Sequence, residues 1–559
     1  MNEQNERNLY QSQVEKDQMP VGHVPGNQVQ GNQVYVSEAY VNQYFQPEPS
    51  KKKEESMLRK NMRQQFSFFA PISAVYAVFY AFCLYRNASG ITYPFFVAGT
   101  FCYFFCSMKR LGVPYKKDSL FYLISIVLLG ISNCTTTSLE ILRLNKLAAF
   151  LLFFILILHT VYNDSGWDFT YYLGAIFRTI GNTITAVFTP FSDMGSFFAA
   201  KKQEKEDKSS MILYIIIGFS IAIPILAGII ALLCSADIVF NSVVKNMLSF
   251  DLSTVCSIGL LILTVFFVSY ALLSALCKKS VIEEVTDKRV LEPVIAIVIT
   301  GMLSLVYLCF SIIQILYLFI GRMQLPEGYT YSAYARQGFF QLLFVCIINL
   351  ILVLICLKIF RENMILKGIL TIISFCTFIM IFSSTLRMFM YIARYNLTFL
   401  RIFVLLSLMV IFLLMAGVTI YIYLRKFPLF FYCIAITTVF YLGFSFSHPD
   451  YWIAKYNLNP MHSAYLDDYD IRDSFYYLSS LSSDAAGIIL NEKYNPYLEE
   501  FTQIKEIREK SDNPQDIGYS DNTAWIYRYY HHICINVDDM KIRSFNFSLS
   551  QADKKAKAL

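Results

Sequence analysis

Charge is scarce in this chain. Only 16% of its 559 residues are Asp, Glu, Lys or Arg, where a soluble domain carries roughly 25%. With 56% hydrophobic residues and a net charge of +6, this excludes a single water-soluble globule and leaves no strongly basic surface for nucleic acid. Catalytic signatures are missing as well: there is no HExxH, no GxSxG, no P-loop and no GxGxxG after a strand. Of the 13 cysteines, nearly all fall inside apolar runs (Cys83, Cys102, Cys106, Cys234, Cys256, Cys309, Cys346, Cys356, Cys376 and Cys433), where Cys acts as a small hydrophobe. The polar C-terminal part holds only Cys534, which excludes a disulfide framework there. No CxxC pair exists, and of the six histidines only His531 and His532 are neighbours, facing different directions on a helix. The reading is therefore no metal and no cofactor. An apolar stretch is also missing from the start, so no signal peptide is expected.

What is present is a series of apolar runs of membrane-spanning length. They lie at 66–85, 91–108, 119–136, 146–162, 211–234, 254–277, 292–320, 337–359, 366–392, 399–424 and 428–446. The expected fold is all-α: a polytopic transmembrane helix bundle of about eleven spans with a small, mainly helical C-terminal extramembrane domain. Residues 1–65 read as a disordered polar and basic cytoplasmic tail, with binding of a protein partner as its alternative role. Residues 66–162 form a first membrane group, 163–210 an amphipathic interfacial segment and charged linker, 211–446 a second group, and 447–559 the extramembrane domain.

Basic residues test the topology. Taking the N-terminus as inside, the inner loops collect Lys109, Arg110, Lys116, Lys117, Arg178, Lys201, Lys202, Lys278, Lys279, Lys358, Arg361, Arg425 and Lys426. The outer loops hold fewer, among them Arg86, Arg143, Lys146, Arg322 and Arg387. This bias places the N-terminus in the cytoplasm and the C-terminal domain outside. The partners it implies are the lipid bilayer and, at the basic segments, an anionic lipid or envelope component.

Four stretches carry polar groups that plain spans do not need. LLCSADIVF (232–240) puts Asp237 at the outer end of a span, either as a solvated helix end or partly buried with a partner. LPEGYTYSAYARQGFFQLL (325–343) follows a Pro-Glu-Gly turn with Tyr331, Tyr334 and Gly338 on one helix face. An aromatic belt explains its tyrosines but not Glu327 and Arg336. STLRMFMYIARYNLTFLR (384–401) places Arg387, Tyr391 and Arg394 on one face, followed by Arg401. Its arginines either snorkel toward headgroups or pair with Asp237, Glu327 or an anionic ligand. HPDYWIAKYNLN (448–459) and YLSSLSSDAAGIIL (477–490) contribute Asp450, Asn457 and Asp484, each of which can also be a cap or turn residue. In the C-terminal part, Pro449 opens a helix through Asn457. Ser483-Asp484 caps a second helix to about Lys493, and further helices are expected over 496–510 and 524–535.

These stretches, with LEPVIAIVI (291–299), QILYLF (314–319) and the terminal RSFNFS (543–548), resemble the bacterial membrane-protein family catalogued as domain of unknown function 4173, with its relative 4153. The resemblance runs from about Leu232 to Ser548. Where Gly-Leu-Thr is expected, this chain has Asn396-Leu397-Thr398, and Asn tolerates a left-handed turn. The resemblance implies a bacterial cytoplasmic-membrane protein and brings no catalytic residues.

The functional expectation is a non-enzymatic membrane protein with a polar site on its outer face, serving envelope-related sensing or assembly. Asp237, Glu327, Tyr331, Tyr334, Arg336, Arg387, Tyr391, Arg394, Arg401, Asp450 and Asn457 are its candidate residues, because the span count puts them all on one side. A secondary transporter of a small or anionic solute is the first alternative, supported by Gln314, Asn349 and Arg387 within spans. An enzyme acting on lipid or cell-wall precursors, with Asp237, Glu327 or Asp450 as acid or base, is the second.

Overall fold

The computed structural model describes residues 56–203 without 88, shorter stretches between 218 and 242, then 252–281, 289–316, 339–459, 468–511 and 518–559. The N-terminal tail, most of the expected 211–234 span and the loop bearing Glu327, Tyr331, Tyr334 and Arg336 lie outside the described residues.

The fold is an all-α membrane bundle. Its elements are α1 (Met57–Gln64), α2 (Phe66–Leu84), α3 (Thr92–Arg110), α4 (Ser119–Thr135), α5 (Leu139–Val161), α6 (Phe169–Thr185) and α7 (Thr189–Gln203). Then follow α8 (Leu252–Cys277), α9 (Pro293–Gln314), α10 (Phe339–Ile359), α11 (Met364–Tyr395), α12 (Phe399–Tyr423) and α13 (Leu429–Phe446). Among the described residues, eight helices are long and apolar enough to cross a membrane: α2, α5 and α8 to α13. The expected second and third spans are occupied by α3, which ends in Lys109 and Arg110, and by α4, which has 17 residues. The fourth begins earlier than expected. Ser138 precedes α5, and Glu140 stands in its first turn, where an acid suits the helix dipole. Arg143 and Lys146 therefore ride on a helix and not in a loop.

Contacts sort the chain into two ends. At the end where α1 enters α2, Ser56 donates to the carbonyl of Cys277, Asn182 donates to Ser280 at 2.6 Å, and Lys358 pairs with Asp168 at 2.6 Å. Glu362, just before α11, collects Arg289, Lys367 and Arg425. The opposite end carries the 85–91, 136–138 and 396–398 connections. Helix α11 has 32 residues, about 48 Å of helix against a hydrocarbon core of about 30 Å. Its last turns, with Tyr391 and Tyr395, reach this second end.

The chain after α13 packs on the second end. It consists of α14 (Pro449–Asn457), α15 (Asp468–Ser479), a 3-10 turn at Ser483–Ala485, α16 (Ala486–Ile489), α17 (Leu498–Lys510), α18 (Ala524–Asp538) and α19 (Phe547–Lys557). Pro449 sits in the first turn of α14 as expected, after His448 at φ +50°. The helix expected to run from Ser483-Asp484 to about Lys493 stops at Ile489, where Asn491 starts a turn by accepting the Lys493 amide on its side chain, and the Asp484 side chain turns inward instead of capping. Trp525, Phe501, Leu478, Ile488 and Tyr529 are fully buried in the core of this part, and Leu397, Phe399 and Ile402 of the bundle pack against the same core. Burying each large side chain contributes about 1.5–3 kcal/mol, so the C-terminal helices and the bundle end share one apolar interior.

Candidate functional site

Among the described residues, a dense polar cluster lies where the C-terminal helices meet the second end of the bundle. It is built on SSD (482–484). Asp450, in the first turn of α14, is buried and accepts the amide of Ser482 at 3.2 Å. The carbonyl of Ser482 accepts the Tyr529 hydroxyl at 2.7 Å, and the amide of Ser483 donates to the Thr137 hydroxyl at 2.9 Å. The backbone here is thus held from α14, from α18 and from the α4–α5 connection.

Asp484 is the hub. Its carboxylate is wholly buried. Oδ2 accepts the Thr136 hydroxyl at 2.5 Å and faces His448 Nδ1 at 3.0 Å. Oδ1 accepts the Thr137 amide at 3.1 Å and the Ser548 hydroxyl of α19. A carboxylate offers about four lone-pair sites, and the chain itself fills them. Burial alone would push the Asp484 pKa up, but the hydrogen bonds from His448, Ser548 and Thr136 together outweigh it and hold the group below its ordinary value. The same bond raises the His448 pKa. Asp450 goes the other way: burial first, and then the nearby Asp484 charge, push it up to about 6. Two carboxylates on one seam are thus driven apart by what each can hydrogen-bond.

The terminal RSFNFS completes this wall. The Asn546 side chain caps α19 through the Ser548 and Leu549 amides and donates to the Thr136 carbonyl at 2.9 Å. The Ile91 amide donates to the Phe545 carbonyl at 2.8 Å, and Asn87 donates to the Arg543 carbonyl at 2.9 Å. A second wall stands over α11. Asn457 exchanges two hydrogen bonds with the backbone of Leu397, at 2.8 and 3.0 Å, and Tyr477 accepts the Phe399 amide at 2.9 Å. Arg401 donates to the carbonyls of Tyr395 and Asn396, which closes the C-terminus of α11. Its guanidinium lies 4.2 Å over the Tyr391 ring.

The sequence-derived candidates separate accordingly. Tyr391, Arg401, Asp450 and Asn457 meet the C-terminal helices or the connection they grip. Arg387 is buried, and its guanidinium reaches the Gln314 side chain at 3.3 Å, beside Ser383 at 2.6 Å. Snorkelling toward headgroups does not describe it, since the side chain turns into the bundle. Asp237 is exposed, and its carboxylate accepts the Phe240 amide at 2.8 Å. That makes it a turn-capping acid on the surface and removes the expectation of partial burial. Glu327, Tyr331, Tyr334, Arg336 and the Arg394 side chain lie outside the described residues.

Sequence reasoning passed over Thr136, Thr137, His448 and Ser548 as site members and took Asp484 for a cap. The quoted motifs HPDYWIAKYNLN and RSFNFS contained His448 and Ser548. Nothing local marks Thr136 or Thr137, because their role appears only when the chain brings position 484 to them. A second buried ion pair, at the first end, was also missed. Arg59 grips Asp193 of α7 through both terminal nitrogens, at 2.7 and 2.6 Å, and Tyr270 donates to the same carboxylate at 2.7 Å.

Among the described residues, no group of three or more His, Cys, Asp or Glu side chains is placed to hold a metal ion. No curated protein and no solved structure matches the chain. One family model does, over residues 123–492, and of the two related families that the motifs resemble it is the second. The match takes in Thr136, Thr137, His448, Asp450 and Asp484 and stops before Asn546 and Ser548. Covering more than half of the sequence, it shows that the chain belongs to the family described as domain of unknown function (DUF4153).

Proposed function

We propose that this protein is a non-enzymatic component of the bacterial cytoplasmic membrane, in which the C-terminal helical part is an extracytoplasmic module for envelope-related sensing or assembly. One observation carries the reading: the most buried carboxylate of the seam, Asp484, spends its hydrogen-bonding capacity on Thr136, Thr137, His448 and Ser548 of the same chain. A general acid or base needs an open position for substrate, whereas a latch needs all positions filled. Kinship with family 4173 and the inside location of the N-terminus, both read from the sequence, belong to this proposal.

Two experiments test it. Single cysteines replacing Lys60 and Lys493, both exposed, are labelled with an impermeant thiol reagent in whole cells. Labelling at 493 alone supports an outer module; labelling at 60 alone, or at both, refutes the orientation. Cells lacking the protein are then challenged with envelope-damaging agents and complemented. Rescue by the full chain, and failure of a chain ending after Phe446 that still inserts, is expected. Full rescue by the shortened chain would exclude the C-terminal module as the working part.

A further inference from the structure

We propose that α6 is an in-plane membrane anchor, which buries one defined arc of its surface among the acyl chains of the leaflet at the first end of the bundle. Its surface divides into three sectors. At 3.6 residues per turn, Phe169, Leu173, Phe177 and Ile184 fall within an arc of about 80°. They are apolar and open, at 65, 40, 66 and 68% exposure. A second arc, holding Tyr172, Ala175, Ile176 and Thr179, is buried against α8 and the bundle, where Tyr172 stacks on Phe430 at 4.2 Å between centroids. The third arc carries Thr170, Gly174, Arg178, Gly181 and Thr185, all exposed. A helix at a protein–water boundary needs one apolar sector and one polar sector. This helix has a second apolar sector that no part of the described chain covers. The stripe continues past the helix end into Phe188, 75% exposed, and Phe191 at the start of α7.

The surroundings identify the occupant as lipid. The helix is tied to the ends of membrane-crossing helices: Asn182 to Ser280 just beyond α8, Asp168 to Lys358 at the end of α10, and Tyr172 to Asp164 just beyond α5. The open stripe therefore lies at the level where the lipid-facing sides of those helices finish. Its polar sector presents Arg178, and Lys278 and Lys279 follow α8 immediately, so cations suited to anionic headgroups flank it. An apolar arc with large aromatics, bordered by a polar arc that holds Arg178, suits a helix lying in the interface, its apolar side about 5–10 Å into the headgroup–acyl boundary. A second protein chain, or water, are the competing occupants.

The test uses the full-length protein in nanodiscs. Phe177→Trp and Thr185→Trp are compared, each read as the emission added over the wild type. Brominated acyl chains should at least halve the added emission at position 177 and leave that at 185 nearly unchanged, while aqueous iodide should do the reverse. Iodide quenching at both positions would place the stripe in water and overturn the proposal. Shielding of position 177 from both quenchers would place a protein surface over it and overturn it equally. Ile184→Trp, on the same arc, repeats the measurement should Phe177→Trp fail to accumulate.

Discussion

Thr136 and Asp484 lie 348 positions apart in sequence, yet the threonine hydroxyl donates to the aspartate carboxylate at 2.5 Å. The bond joins the connection between two membrane helices to a turn in the C-terminal helices, and both partners are buried. Replacing Asp484 by Ala leaves the Thr136 and Ser548 hydroxyls, the Thr137 amide and the His448 ring without their acceptor. Hydrogen bonds to a charged group contribute about 1.5–3 kcal/mol each, and orphaned buried partners add to the loss. We expect docking of the C-terminal part to weaken by about 4 kcal/mol, seen as new protease cleavage and faster amide exchange in α18 and α19 with the membrane helices intact. Unchanged protection would mean that the apolar core around Trp525 holds the module without the hub.

The seam should tighten in mild acid. Asp450 has its pKa raised by burial to about 6 from 3.8, so in the folded state it holds a proton more firmly than in the unfolded chain. Its ionisation therefore costs stability as pH rises from about 4 to about 6, by up to about 3 kcal/mol at 1.36 kcal/mol per unit. His448, with a raised pKa, adds stability below its ordinary value of 6.5 that is lost as pH climbs through the raised one. Asp484 is shifted down, so its contribution is complete above about 3.8 and is lost only in stronger acid. Docking should be strongest near pH 4, weaken as pH rises toward about 6, and weaken further as His448 loses its proton. Asp450→Asn should raise thermal stability at pH 7.5 and flatten the profile above pH 4; a variant with the wild-type slope would show that Asp450 does not titrate in this range.

The bundle was legible because it is written locally: apolar runs of span length, basic residues between them, Pro449 at a helix start. Asp450 and Asn457 could be named from HPDYWIAKYNLN, since both lie on the short helix that Pro449 opens directly after the last span. Thr136 and Thr137 could not, because a Thr-Thr pair between two helices has the composition of any connection. Asp484 was misassigned for a related reason. Ser-Asp before a small-residue helix fits a cap, and only the approach of α5, α13 and α19 gives the carboxylate better partners inside. For Arg387 the sequence allows both snorkelling and pairing, and its Gln314 partner could not be named because it is 73 positions distant.

Asn396 stands at φ +74° and ψ 168°, a region that glycine occupies freely and other residues occupy at about 1–3 kcal/mol. The neighbouring Leu397 is clasped by Asn457 on both its amide and its carbonyl, which fixes the turn. Asn396→Gly should therefore raise the thermal midpoint, by about 1 kcal/mol of stability, and Asn396→Ala should lower it. A drop with Gly would show that the asparagine side chain contributes more than the strained backbone loses.

At the other end, Arg59 and Asp193 form a two-pronged ion pair with side-chain exposures of 6% and 0%. Removing one partner of a buried pair costs about 3–5 kcal/mol, because the other charge remains buried. Asp193→Ala should release α7 from α1, increasing exchange in both helices while the C-terminal seam stays protected. Arg59→Lys keeps the charge but not the planar fork, and should show a smaller loss of the same kind. Equal exchange in all three proteins would mean that the packing of Phe66 against Phe197 and Tyr270 is sufficient to hold this end.

Gly90 tests the C-terminal contact from the membrane side. A Cβ built there would lie 2.2 Å from the Arg543 carbonyl oxygen and 2.5 Å from the Ser544 Cα, both backbone atoms that no side-chain rotation can move. Gly90→Ala must therefore lift residues 543–545, breaking the Ile91–Phe545 and Asn87–Arg543 hydrogen bonds together. Because Asn546 then also loses its register on the Thr136 carbonyl, the effect should reach α19 and the Ser548 bond to Asp484. We expect a loss of about 2–3 kcal/mol in docking, from two or three bonds at about 1 kcal/mol each. It should appear as exchange in 543–557 with α17 still protected by its own core. A double variant, Gly90→Ala with Asp484→Ala, should lose less than the sum of the single losses, since both changes open the same contact. Full additivity would show that the two contacts hold the module independently.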